Sequence, residues 1–352
     1  MGRLKTAIKN KLPSKAEHKT EKEKLDKRRE EVLAKGRKFK YPMQFAKHRL
    51  VFITIAIALI AVIGAGVFGW VSLYRTQNTG DILYRLTTII PVPVARIDGE
   101  FVRYSDYLMI YRSSITPVEQ QNGASDSQAD TDSLREYYKR VALNDAEDYT
   151  YAIKLAKQMN ITVTDEMVDQ AFDEHRKLGG AERSRESFLK VLKDNFDLTE
   201  KEYRRLLYLS LVKEEVSKKI DNNAAAKAES AYAKAKTANG NLAEVANELG
   251  LEYEDTGGLI DVMNVDGGRS DVAYSMKSGE LSGILTSSNG DGYYIIYLRE
   301  KADSKVNYVS IRIPFTEFDK RLNNVREENR VEEYIEIGDS ATASEVQADD
   351  NQ

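Results

Sequence analysis

Histidine and cysteine, two side chains that often carry acid–base, nucleophilic or metal chemistry, are scarce in this sequence. There is no cysteine, which excludes thiolate catalysis, cysteine-ligated metals and disulfides. The three histidines are His18, His48 and His175. Because His175 lies between Glu174 and Arg176 in a helical pattern, we expect it on a solvated polar face. We expect no cofactor and no metal.

Carboxylates and glycines offer little more chemistry. Adjacent acids occur at 165–166, 214–215 and 332–333. Glycosidase-type chemistry needs two carboxylates across one cleft, and nothing singles out a pair. Six of the glycines in the C-terminal half fall between short apolar runs: Gly257, Gly258, Gly267, Gly268, Gly290 and Gly292. They match neither a dinucleotide-binding loop nor a Walker loop, so we interpret them as turn residues.

The longest apolar run is Val51–Val71, which has no charge and a single polar side chain, Thr54. About 20 apolar residues cross the ~30 Å hydrocarbon core of a bilayer. Trp70 and Tyr74 lie at one end of this run, where amphipathic rings favour the membrane interface. The pattern predicts a transmembrane helix over residues 50–74.

The charge distribution predicts the orientation of this helix. Residues 1–49 carry 17 Lys and Arg against 6 Asp and Glu, and short basic flanks stay in the cytoplasm. We therefore expect a single-pass protein of the inner membrane, with a cytoplasmic N-terminus and an extracytoplasmic C-terminal region. Ala61, Ala65 and Gly69 recur every four residues, a spacing that lets two helices approach closely, so an oligomer is possible.

Beyond a stalk at 75–91, the sequence predicts a hairpin followed by helices. Asp98-Gly99 is a tight-turn dipeptide between two strand-like stretches. Apolar residues at helical spacing then predict four helices. They begin near Leu134, Thr164, Ser184 and Thr199, the last through a Thr-x-x-Glu capping box. Residues 116–133 are polar and predict a flexible loop.

From residue 222 the pattern changes. Two short helices, 222–236 and 241–249, precede strand-like runs at Tyr293–Leu298 and Val306–Ile313. Residues 315–330 have helical spacing, and residues 338–352 form an acidic tail that we expect to be disordered. The fold class predicted for the region beyond the span is α+β.

Three stretches resemble the chaperone domain of the SurA/PrsA/PpiD group of envelope foldases. They are VARIDGEFVRYSDY, IKLAKQMNITVTDEMVDQAF and RESFLKVLKDNFDLTEKEYRRLL, and they occur in the order of that group. The next segment resembles a parvulin-type prolyl isomerase domain through TGGLIDV, AYSMKSGELSG and GDGYYIIYLREK. The resemblance implies a helical chaperone domain at 92–221 and a parvulin-like domain at 222–337.

The resemblance also implies that the isomerase pocket is degenerate. The final pocket histidine of parvulins aligns with Tyr294, and the Met and Phe of the proline slot align near Val265 and Arg269. The acidic or thiol position falls near Glu252. With His175 outside this segment, the two-histidine network cannot form. An arginine also places a charge in an apolar slot, which is unfavourable.

A parvulin opens with a strand before its first helix, and no such strand precedes the Ala-rich helix here. VNYVSIRIPFTEFDKRL resembles that opening. Val306–Ile313 either completes the small sheet in place of the missing strand, or begins a second, truncated module or an edge hairpin; these alternatives remain open.

The function that these resemblances imply is a membrane-anchored foldase that binds unfolded, newly translocated polypeptides, without a nucleic-acid partner. The alternatives are an active prolyl isomerase with an altered pocket and a non-enzymatic scaffold of an envelope complex.

Overall fold

The computed structural model describes residues 15–122, 128–177, 182–262, 264, 266–287 and 290–338. The chain separates into two units, Met1–Val71 and Ser72–Gln352. Val265 and the acidic tail from residue 339 on lie outside the described residues, so the predictions made for them stay predictions.

The first unit is one long helix, α1, over Lys15–Trp70, which passes into a π-helical turn at Val71–Arg75. The stretch His48–Arg75 is 28 residues long and apolar enough, by length and composition, to cross a membrane. Within it Ile60 and Phe68 are each 70% exposed. An apolar helix that no protein covers is typical of a membrane span.

The second unit begins with a helical half. Its elements are α2 Asp81–Ile89, β1 Pro93–Ile97, β2 Glu100–Arg103, α3 Tyr104–Asn122, α4 Gln128–Met159, α5 Asp165–His175, α6 Arg185–Phe196 and α7 Glu200–Ile220. The predicted hairpin is confirmed, because β1 and β2 pair in antiparallel register around Asp98-Gly99. Both turn residues adopt positive φ, 47° and 90°.

Three of the four predicted helix starts are confirmed by their caps, while the helix predicted to begin near Leu134 begins earlier, at Gln128. The side chains of Thr164 and Ser184 accept hydrogen bonds from backbone N–H groups of α5 and α6. Thr199 and Glu202 form the reciprocal capping box of α7. Each cap satisfies N–H groups that have no partner within the helix.

The loop predicted over 116–133 differs from the structure. Residues 116–122 continue α3 and residues 128–133 belong to α4, while 123–127 lie outside the described residues. Polar composition indicated the loop, but the two helices extend because they pack along each other. Arg135 of α4 forms an ion pair with Glu119 of α3 at 2.9 Å, which ties these polar ends together.

A second half follows, with a small sheet flanked by helices. Its elements are α8 Asn222–Ala235, α9 Leu242–Leu249, β3 Glu252–Asp255, β4 Ile260–Asp261, α10 Arg269–Ser275, β5 Leu285–Thr286, β6 Gly292–Ala302 and β7 Lys305–Pro314. The strands are antiparallel in the order β3-β7-β6-β5, and β4 also pairs with β7. The predicted strand Val306–Ile313 therefore completes this sheet, in an interior position.

The chain then returns to the helical half. Helix α11, Glu317–Glu327, places Phe318, Leu322 and Val325 in the same hydrophobic core as α3, α4 and α7. Strand β8, Val331–Glu333, pairs with β1 and extends the N-terminal hairpin to three strands. The last 20 or so residues of the segment 222–337, which was predicted to be parvulin-like, therefore pack in the helical half. The α+β class itself is confirmed.

Candidate functional site

Three of the four predicted pocket positions lie in the sheet half. Glu252 begins β3, Arg269 begins α10, and Tyr294 lies in β6. Tyr294 is 4% exposed. The guanidinium of Arg269 lies over the Tyr294 ring, 4.6 Å from its centroid. The two side chains that the resemblance aligns with the pocket Phe and the final histidine of parvulins thus contact each other through a cation–π interaction.

Further contacts hold Arg269 in place. Its Nη1 pairs with the carboxylate of Glu254, and its Nε donates to the backbone oxygen of Asp266 at 2.8 Å. The Asp266 carboxylate accepts a hydrogen bond from the hydroxyl of Tyr308 at 2.6 Å. The Arg269 side chain is only 12% exposed, so its charge is neutralised where it is desolvated, as a buried charge requires.

Two residues that the sequence reasoning missed connect Tyr294 to Glu252. Arg312 of β7 forms ion pairs with Glu252 at 2.7 Å and with Asp291 at 2.9 Å. The Tyr294 hydroxyl donates to Asp291 at 3.2 Å. In the sequence, a charged residue between Ile311 and Ile313 in a strand-like run could have indicated Arg312. We call Glu252, Arg269, Asp291, Tyr294 and Arg312 the substituted pocket cluster.

Within this cluster, the surroundings of Tyr294 and Asp291 shift their pKa values in opposite directions. Burial raises the pKa of the Tyr294 phenol, and the Asp291 charge raises it further. Burial opposes ionisation of Asp291, but hydrogen bonds from Ser287 and Arg312 outweigh it and lower the pKa of Asp291. The cluster is therefore a set of paired charges around a neutral phenol, and it does not reproduce a two-histidine network.

The helical half contains a polar cleft of about 540 Å³. Arg112 lies on its wall and forms an ion pair with Asp81 at 2.7 Å and another with Asp197. The remaining lining residues come from the 76–79 segment, α3 and α4: Thr76, Gln77, Asn78, Thr79, Tyr111, Ile115, Thr116, Glu119, Arg135 and Lys139. Hydroxyl and amide groups of this kind can hydrogen-bond to the backbone of an extended peptide.

Most of the tyrosines in the helical half serve packing. Tyr151 is 5% exposed, within the core. The side chains that pack partly buried against that core are Tyr138, Tyr149, Tyr203 and Tyr208. This arrangement favours a packing role over a continuous aromatic groove.

The predicted solvated position of His175 is wrong. The side chain is half-buried, and its Nδ1 is hydrogen-bonded to the Tyr203 hydroxyl. Burial lowers the pKa of His175. Its ring joins a group of aromatic side chains that includes Phe172 and Phe188. Among the residues that the structure describes, no group of three or more His, Cys, Asp or Glu is placed to hold a metal.

Asp221 was not singled out by the sequence reasoning, yet it joins the two halves. It is 3% exposed. One carboxylate oxygen accepts from the N–H of Ala224 at 2.9 Å, and the other accepts from the N–H groups of Thr316 and Glu317 at 2.8 and 3.1 Å. It therefore caps α8, where the chain enters the sheet half, and α11, where it leaves. In the sequence, an aspartate just before an Ala-rich helix could have indicated an N-cap.

Comparison with protein families gives one match. The family described as the SurA-like N-terminal domain matches residues 43–224, just over half of the chain. No curated protein matches the chain. The matched residues include the apolar helix, the hairpin and helices α2 to α7. The match supports a foldase of the chaperone type. The chain belongs to the SurA-like N-terminal domain family.

Proposed function

We propose that the protein is a membrane-anchored extracytoplasmic foldase that holds unfolded polypeptides by reversible, non-covalent binding. The observation that carries the proposal is the family match at 43–224, which includes the whole stretch His48–Arg75 that is long and apolar enough to cross a bilayer. Anchoring concentrates the binding domain where clients emerge from the membrane. The basic N-terminal 49 residues favour a cytoplasmic N-terminus.

The sheet half is, in this proposal, a degenerate parvulin-like domain with weak or no prolyl isomerase activity. In support, β7 takes the interior sheet position for which the resemblance requires an opening strand. The substituted pocket cluster supports the loss of activity. Arg269 occupies the place of an apolar slot residue and is held there by Glu254 and Tyr294. Entry of a proline ring would have to break these contacts.

The polar cleft of the helical half is the proposed contact surface for client backbone. Its threonine and amide side chains supply donors and acceptors, and its volume of about 540 Å³ accommodates a short extended segment. In Thr116→Trp a large ring would fill the cleft. Thr237→Trp, at an exposed position after α8, is the matched control.

Aggregation of a chemically unfolded client, followed by light scattering, tests the chaperone function. The full chain in detergent or nanodiscs should suppress aggregation at stoichiometric amounts, Thr116→Trp should weaken suppression, and Thr237→Trp should not. No suppression by the unaltered chain, together with one stable partner in pull-downs, would instead favour a scaffold.

A proline-isomer assay tests the catalytic alternative. We expect the full chain to give no rate above background, and Tyr294→Ala and Glu252→Ala to change nothing. A clear rate that either variant abolishes would establish an active isomerase and overturn the binding-only mechanism.

Orientation is tested with single cysteines, because the chain has none of its own. A membrane-impermeant maleimide applied from outside to spheroplasts should label a cysteine at Ala243 and leave one at Lys24 unlabelled. The reverse pattern would refute the proposed orientation.

A further inference from the structure

Helix α2 carries apolar side chains on two faces. Leu83, Tyr84 and Thr87 are buried against the globular unit. On the outward side Ile82 is 85% exposed and Ile89 is 79% exposed. Leu86, between them at helical spacing, is 39% exposed. Exposed apolar stripes of this kind mark interaction surfaces, so the outward face of α2 requires a partner.

The position of α2 along the chain indicates which partner. The turn at Ser72–Arg75, where the apolar stretch ends, is built into the globular unit. Leu73 is 4% exposed and accepts a hydrogen bond from the Tyr104 hydroxyl at 2.7 Å. The Tyr74 hydroxyl donates to the backbone oxygen of Pro93 at 2.6 Å. The point at which the apolar stretch ends is therefore held rigidly in the unit that also contains α2.

The connection from this turn to α2 is short. Residues 76–80 join them, and the N–H of Asn78 donates back to the oxygen of Ser72 at 2.9 Å. Even a fully extended segment of this length reaches only about 20 Å, and the turn shortens it. Helix α2 thus lies close to the end of the apolar stretch.

The side chains on this face match the chemistry of a bilayer surface. Arg85 is exposed and lies between Ile82 and Ile89 on the same helical stripe. Interfacial helices combine an apolar face with basic side chains whose charged ends reach the phosphates. We propose that the outward face of α2, formed by Ile82, Arg85, Leu86 and Ile89, lies in the headgroup region of the membrane and contacts lipid.

This inference rests on the proposed membrane anchoring and goes beyond it. A single span by itself leaves the globular unit free to tilt. A second, lateral contact through α2 holds the foldase in one orientation on the bilayer surface. An unfolded client segment or a second copy of the chain would be a different occupant of the same face.

The test uses the full chain in vesicles of phosphatidylcholine and phosphatidylglycerol. Spin labels are placed at Ile82→Cys and Ile89→Cys, with Ala243→Cys on the exposed side of α9 as the matched control. Both test positions are highly exposed, so the labels should not disturb folding, which circular dichroism verifies. Collision rates with oxygen, which partitions into lipid, and with a water-soluble nickel chelate report the depth of each label. Flotation of the same sample reports anchoring.

We expect labels at 82 and 89 to show an oxygen-to-nickel collision ratio several-fold above that at 243, without any client. If the protein floats with the vesicles but all three ratios agree, the α2 contact is refuted while the anchoring stands. If the protein does not float, anchoring and contact fail together. Protection that appears only with an unfolded client, or that rises with the protein-to-lipid ratio, would identify a client or a second copy as the occupant and overturn the lipid contact.

Discussion

Glu147 of α4 is a buried carboxylate whose ionisation opposes folding. We expect Glu147→Gln to remove the loss of stability that this ionisation causes as the pH rises. The side chain is 1% exposed. Its Oε2 is 3.5 Å from Nη2 of Arg326 on α11, and its Oε1 has no hydrogen-bond partner among the described residues. Burial, with a contribution from the charge of Glu333, raises the pKa of Glu147 from 4.5 to about 7, although Arg326 opposes the rise.

The sign and size of the effect follow from the difference in proton affinity. The folded state holds this proton more tightly than the unfolded state, so the contribution of Glu147 to stability falls as pH rises from about 4.5 to about 7. At about 1.4 kcal/mol per tenfold change in affinity, the full loss is about 3 kcal/mol. Glutamine has nearly the same shape and cannot ionise. Part of this loss has already occurred at pH 5, so Glu147→Gln should gain about 2.5 kcal/mol over the unaltered chain on going from about pH 5 to about pH 8.

Urea unfolding of the full chain in a non-ionic detergent, followed by the near-ultraviolet circular dichroism of its tyrosines, measures this difference. The control is Glu332→Gln, which makes the same chemical change at an exposed position of β8. An equal stability difference between Glu147→Gln and the unaltered chain at both pH values would refute the reasoning. A variant that is less stable at the higher pH would show that pairing with Arg326 outweighs burial.

Three further predictions concern two helix caps and one close contact between strands. Asp221→Ala removes the acceptor of three backbone N–H groups at two helix starts, so the free energy of unfolding measured in urea should fall by about 2–4 kcal/mol. A smaller loss for Asp221→Asn would confirm the capping role. In Gly292→Ala the new Cβ would meet the backbone oxygen of Ile313 at 2.5 Å, so the free energy of unfolding from thermal denaturation should fall by about 1–3 kcal/mol. An unchanged midpoint would contradict the close approach of β6 and β7. Thr199→Ala breaks the capping box with Glu202 and should cost about 1 kcal/mol in the same assay, whereas Thr199→Ser should cost little.

Local elements were predictable because their causes are local. The Asp98-Gly99 turn, the Thr164 and Ser184 caps and the Thr199 capping box depend on residues within a few positions of each other, and the structure has each of them. The loop predicted at 116–133 failed for the opposite reason. Polar composition shows little to bury, but an ion pair to a neighbouring helix can still extend a helix.

The pocket positions illustrate the same division. The resemblance to parvulins aligned Glu252, Arg269 and Tyr294 with one pocket, and in the structure these residues belong to one cluster. The alignment did not reveal Arg312 of β7 or Asp291, just before β6, which connect them. Those contacts depend on the register between two strands, which no local pattern specifies.

The sequence by itself determined the apolar stretch, the absence of thiol chemistry, the hairpin and the capped helices, because composition and short-range hydrogen bonding are sufficient for these. Only the tertiary structure decided that β7 lies inside the sheet and that α11 and β8 return to the helical core. Long-range burial drives both results, since Phe318, Leu322 and Val325 find their apolar partners about a hundred or more residues earlier in the chain. The same packing buries Glu147 and leaves the outward face of α2 uncovered.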